Sequence, residues 1–166
     1  MIDPSQDAFG TALLDYLDGN DVAPLALQVQ GGETGPAMHP EWFFRDYEQW
    51  DHLDQKILAQ VEHGPVLDLG AGAGRAALYL QERGLSVTAI DASPGAVEVC
   101  RRRGIADVRL GDLRLRYRDL VTPWWPQYNI PSSQLAALVK DTGWAARCRW
   151  PTMGAALRFI VMTVAA

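Results

Sequence analysis

Hydrophobic and polar positions alternate between two periods along this chain. Val66-Leu67-Asp68-Leu69 is a short apolar run of the kind that forms a buried strand, and it breaks at once into Gly70-Ala71-Gly72-Ala73-Gly74-Arg75, a sharp turn into a helix. Ser86-Val87-Thr88-Ala89-Ile90 is a second β-rich run, closed by Asp91. The helix after it ends at Arg101-Arg102-Arg103, where cations meet a helix C-terminus favourably, and Asp107-Val108-Arg109-Leu110 forms a third strand closed by Gly111-Asp112-Leu113. The spacing between Asp68 and Asp91 is that of one strand-helix-strand unit, which places the strands side by side and parallel. Ahead of this unit, Leu13, Leu14 and Leu17 form the apolar stripe of a helix over Gln6–Leu17, stopped by Asp18-Gly19-Asn20. A short strand over Val22–Val29, a loop at Gly31–Pro36 and a second helix from Glu41 to about Glu62, opened by Pro40, are expected next.

Three glycines at alternate positions are needed where the backbone takes positive φ or where a ligand comes against the main chain. Nucleotide-like ligands bind outside the carboxyl ends of such strands, and Asp91 stands where an acid accepts from ribose hydroxyls. Gly72-x-Gly74-x-x-Ala77 is formally compatible with a dinucleotide loop as well as with a loop for S-adenosylmethionine (SAM). Charge separates the two. Pyrophosphate is an anion, which Asp68 would repel, whereas the ammonium of an amino-acid cofactor would be attracted. Asp112, at the same sheet edge, is a candidate acceptor for the adenine amino group.

These residues resemble the class I SAM-dependent methyltransferases. Asp68-Leu69-Gly70-Ala71-Gly72-Ala73-Gly74 is similar to the first motif of that family, Asp91 to its ribose acid and Gly111-Asp112-Leu113 to its adenine-side motif. The resemblance covers about Gly64 to Leu113. It implies an α/β, Rossmann-like sheet with flanking helices, with SAM as cofactor. Asp68, Gly70 and Gly72 would face the methionine part, Asp91 would hold the ribose and Asp112 with Leu113 would lie beside adenine, with Ala71, Gly74 and Ala92 also among the cofactor-binding residues. In such enzymes an N-terminal segment often caps the cofactor, which makes residues 1–63 a helical cap ahead of a cofactor domain over 64–166. Tyr47 is the one cofactor-side contact expected from it, although aromatics at helical spacing also serve as packing.

The chain departs from the family after Asp112. Leu113-Arg114-Leu115-Arg116-Tyr117-Arg118-Asp119 has strand period where a crossover helix is expected, and the residues after Gly64 are too few for seven strands with their crossovers. Pro131-Ser132-Ser133-Gln134 opens a helix through Val139, and Trp144–Trp150 and Leu157–Val164 read as a terminal strand pair. The fold is therefore expected to be abbreviated. With the central strands missing, Leu157–Val164 should lie directly beside Val66–Leu69, giving the order three-two-one followed by the terminal pair. Thr122–Pro131, rich in proline and aromatics, either covers the site or closes the core.

Composition narrows the function. The hydrophobic fraction of 48% with 21% charged residues is ordinary for one soluble domain. Cys100 and Cys148 form no paired motif, and His39, His52 and His63 show no triad or metal spacing, so neither a disulfide framework nor a metal site is expected. The N-terminus lacks the basic and apolar regions of a signal peptide, and the C-terminal apolar run is too short for a bilayer, which points to the cytoplasm. A net charge of −5 argues against a nucleic-acid partner. A small-molecule methyl acceptor is expected, with no catalytic base legible. A SAM- or S-adenosylhomocysteine-binding module without turnover is the alternative, and a nicotinamide-dependent oxidoreductase is disfavoured by Asp68 and Asp112.

Overall fold

The computed structural model describes residues 2–26, residues 37–111 and the strand residues 116–117, 120–121, 144–146 and 161–164. Its centre is a sheet of three parallel strands, β1 (Val66–Leu69), β2 (Val87–Asp91) and β3 (Asp107–Leu110), joined by helices α3 (Arg75–Glu82) and α4 (Pro94–Arg102). β4 (Arg116–Tyr117) and β5 (Leu120–Val121) form a separate antiparallel pair, as the strand period of this stretch requires. The main sheet is completed by β6 (Trp144–Ala146) and β7 (Val161–Val164), in the order β3-β2-β1-β7-β6. β7 runs antiparallel to β1, with Val66 opposite Thr163 and Asp68 opposite Val161. The expected direct junction of the first strand with the terminal pair is therefore present. The expected helix at 131–139 lies outside the described residues.

Register fixes which acids share a face. Val66 pairs with Val87 and Asp68 with Ala89, so residues 66, 68, 87, 89 and 91 project to one side of the parallel sheet. That side is buried: Val66, Ala89 and the inner faces of α3 (Ala76, Ala77, Leu80) and α4 (Val97, Cys100) are each at most 3% exposed. Burying a side chain the size of Leu80 stabilises by about 1.5–3 kcal/mol. A carboxylate on this face is consequently out of water.

Ahead of the sheet, α1 (Ala8–Asp18) ends on Gly19 in the left-handed region, close to the expected helix and its stop. It crosses α4 with Leu13 packed against Ala96 and Val99. The crossing is tight because it is made of glycines: a Cβ on Gly95 would lie 2.6 Å from the Gly10 backbone.

Two expectations for this segment are corrected. The strand over Val22–Val29 is reduced, within its described residues, to one bridge between Leu25 and Met38. The helix over Glu41–Glu62 is three pieces, 3₁₀ turns at Pro40–Phe44 and Tyr47–Gln49 and then α2 (His52–Ala59). Two aspartates break it. Asp46 and Gln49 form a capping box, and Asp51 accepts the Asp54 amide at 3.0 Å; a capping residue takes extended φ/ψ and so restarts the chain.

Candidate cofactor site

The glycine loop is a run of left-handed turns. Gly70, Gly72 and Gly74 have φ of 75°, 55° and 76°, which L side chains adopt at a cost. The Gly70 and Ala71 amides both donate to the Ile90 carbonyl, at 2.8 and 3.1 Å, tying the loop to the end of β2. Gly74 is also a packing glycine: a Cβ there would collide with Ile105 and lie 3.0 Å from the Cys100 sulfur. At Gly72 a Cβ would only touch Phe43 and Phe9, at 3.4 and 3.6 Å, so two rings from the N-terminal segment rest at the loop. Cys100 donates to the Gly72 carbonyl at 3.2 Å, and Arg103 to the Ala73 carbonyl at 2.5 Å. Burial pushes the Cys100 thiol up to about 12, so it serves as a neutral donor.

Two buried carboxylates flank the loop. Asp91 is 8% exposed and accepts from the Gly72 amide at 2.8 Å and the Ser93 amide at 2.9 Å, one on each oxygen. Burial raises its pKa, and those backbone amides oppose the rise. Asp68 is 5% exposed. Burial, reinforced by the negative charge of Asp91, pushes it up to about 6, against the Ala77 amide and the Arg75 charge. Among the described residues its Oδ2 has no hydrogen-bond partner, although it is buried. An unpaired buried carboxylate oxygen is costly, and it suits a cationic donor.

The structure thus brings together Asp68, Gly70, Ala71, Gly72, Gly74, Asp91 and Ala92. Asp112 and Leu113 lie outside the described residues. Tyr47 is occupied with packing instead: its ring stacks on Tyr79 at 4.2 Å, its hydroxyl donates to the Gln55 carbonyl at 3.1 Å, and Trp50 meets it edge-on.

Asp7, Ser93 and Phe9 reach the site without having been singled out by sequence. Ser93-Pro94 is the signature of a helix start and was available; so was an acid just before the apolar stripe of α1. The contact of Asp7 with Ser93, across most of the described chain, was not.

A family model described as "Methyltransferase domain" matches residues 66–124, the stretch that includes the glycine loop and both acids. Over that stretch the chain is similar to a methyltransferase domain. A curated relative, the 2-heptyl-1-hydroxyquinolin-4(1H)-one methyltransferase of Mycobacteroides abscessus, is 42% identical over 58 residues, covering 32% of this chain and 26% of that protein. The chain therefore spans about a quarter of the length of this relative. Among solved structures, a SAM-dependent methyltransferase from Bacteroides fragilis, crystallised with S-adenosyl-L-homocysteine, superposes with a TM-score of 0.63 at 21% identity, covering 100% of this chain and 98% of that one. That likeness is one of fold.

Proposed function

We propose that this chain binds SAM at the glycine loop and transfers its methyl group to a small-molecule acceptor in the cytoplasm. The observation that carries the reading is the pair of buried acids across the loop, one of them with an oxygen that nothing in the described protein satisfies. Asp68 would receive the ammonium of the amino-acid moiety. Asp91 holds one amide on each oxygen, and a carboxylate has about four lone-pair sites, which leaves capacity for ribose hydroxyls. The positive-φ glycines let the ligand come against the main chain. When bound, SAM supplies an electrophilic methyl group; what the protein adds is orientation and exclusion of water. Asp112 and Leu113 complete the reading on the adenine side. The two acids disfavour a pyrophosphate cofactor, and the named activity of the quinolone relative is compatible with a small-molecule acceptor.

One observation favours a second reading, a binder of SAM or S-adenosylhomocysteine without turnover. β1 is flanked by the antiparallel β7, which takes the place where a further parallel strand would bring residues to the methyl side. Calorimetry with SAM, S-adenosylhomocysteine and NAD tests binding. Heat with the first two alone supports an adenosyl site, and heat with NAD alone overturns it. Transfer of label from SAM into a metabolite mixture then separates enzyme from binder.

A further inference from the structure

Asp7 is buried at 5% exposure, far in sequence from the acids of the loop, and one of its carboxylate oxygens leads toward them. Its Oδ1 accepts the Gly10 amide at 2.9 Å and so starts α1. Its Oδ2 accepts the Ser93 hydroxyl at 2.8 Å and the Gly95 amide at 2.9 Å, and so also serves the start of α4. Ser93 in turn donates its backbone amide to Asp91, and Asp91 accepts from Gly72. Two residues after Asp7 comes Phe9, whose ring rests near Gly72. The close approach of Gly10 to Gly95 and Ser93 leaves this arrangement little slack: a Cβ on Gly10 would lie 2.5 Å from the Ser93 hydroxyl.

Resting on the adenosyl reading above, we propose that Asp7 is a positioning residue of the cofactor site, holding Ser93 so that the Asp91 carboxylate is aimed at the ribose hydroxyls. One carboxylate fixes the entry of α1 and the turn after β2 together, so the N-terminal segment sets the geometry of an acid that it does not itself contain. The Asp7 charge also lies near enough to oppose ionisation of Asp91, which strengthens the demand for donors there.

Asp7→Asn is the test, because asparagine remains a good N-cap for α1, but with its oxygen on the Gly10 amide only an NH2 donor is left to face the Ser93 hydroxyl and the Gly95 amide. Binding of S-adenosylhomocysteine and of its 2′,3′-dideoxyribose analogue is measured by calorimetry on wild type and variant, with thermal unfolding alongside. The variant is expected to lose about tenfold in affinity for S-adenosylhomocysteine and to change by less than about twofold for the dideoxy analogue, which offers Asp91 no hydroxyl. Equal losses on both ligands, or an unchanged affinity in a folded variant, would overturn the proposal. Should Asp7→Asn fail to fold, Ser93→Ala removes the same link and is judged by the same two affinities. A wild-type chain that binds S-adenosylhomocysteine no more tightly than the analogue would overturn the proposal alone; one that binds neither would overturn the adenosyl reading and the proposal with it.

Discussion

The loop after β1 and the loop after β2 have the same place in the fold and opposite states of completion. After β2, Ser93 caps α4 through the Ala96 amide, Pro94 occupies the first turn, Asp7 takes the Gly95 amide, and both oxygens of Asp91 are engaged. After β1, α3 begins on Gly74 with no side-chain cap, and the acid that reaches its first turn from within the strand keeps one oxygen unpaired. Since buried polar groups in native proteins are nearly always satisfied, the difference is what the proposed cofactor site predicts. The second loop is held by the protein's own bonds, while the first keeps an acceptor that the described residues leave unused.

Four changes would break or sharpen this contrast. The largest effect is expected from Gly74→Ala, which combines a collision with Ile105 and contact with Cys100 with a left-handed φ of 76°. Overpacking and strain together should cost about 2–5 kcal/mol in denaturant unfolding. A loss under about 1 kcal/mol would mean that the loop is not held by packing.

Next is Asp91→Ala, which removes the acceptor for two buried amides and for the proposed hydroxyls. Affinity for S-adenosylhomocysteine should fall by about 1.5–3 kcal/mol in calorimetry. Unchanged affinity in a folded variant would remove Asp91 from the site.

The third concerns Asp68 and pH. Its pKa in the folded, ligand-free protein is raised from 3.8 to about 6, so the native state holds a proton that the unfolded chain has released in between. The associated stability is present below the unfolded value and is lost as pH rises through about 6. Wild type minus Asp68→Asn should show this loss, about 1–3 kcal/mol, in unfolding series run from about pH 4 to 7. Cofactor binding should run the other way, tightening as Asp68 ionises and releasing a proton to buffer. Affinity that is flat with pH in the wild type would detach the ammonium from Asp68.

The smallest effect is expected from Tyr47→Phe. Losing the hydrogen bond to Gln55 should cost about 0.5–1.5 kcal/mol of stability, with cofactor affinity unchanged. A clear drop in affinity would return Tyr47 to the site.

What could be read from sequence follows the same division. The strands, the glycine loop and the two acids were legible because local rules write them: apolar runs mark strands, alternate glycines mark positive φ, and the strand-helix-strand spacing puts Asp68 and Asp91 on neighbouring strands. The sheet order could be inferred because a central strand must have neighbours on both edges. The segment 41–62 was misread because its aromatic spacing has a helical period while Asp46 and Asp51 act as caps within it, and caps override period. The packing of Tyr47 was hidden for a different reason. Its stacking partner Tyr79 belongs to α3, and no local pattern records which ring meets which. Asp7 combines both cases, a cap visible beside its own helix and a second cap visible only once the chain has folded.

The junction of β1 with β7 also has a temporal meaning. Every parallel partner of β1 is made soon after it, but Asp68 pairs with Val161, which leaves the ribosome about ninety residues later and, at ordinary synthesis rates, some 5–20 s afterwards. During that interval the half built from β1, β2 and β3 carries its glycine loop beside an uncovered strand edge, a template for any extended segment nearby. The nascent chain thus has a defined period of vulnerability to mispairing, which ends only when its last described strand arrives.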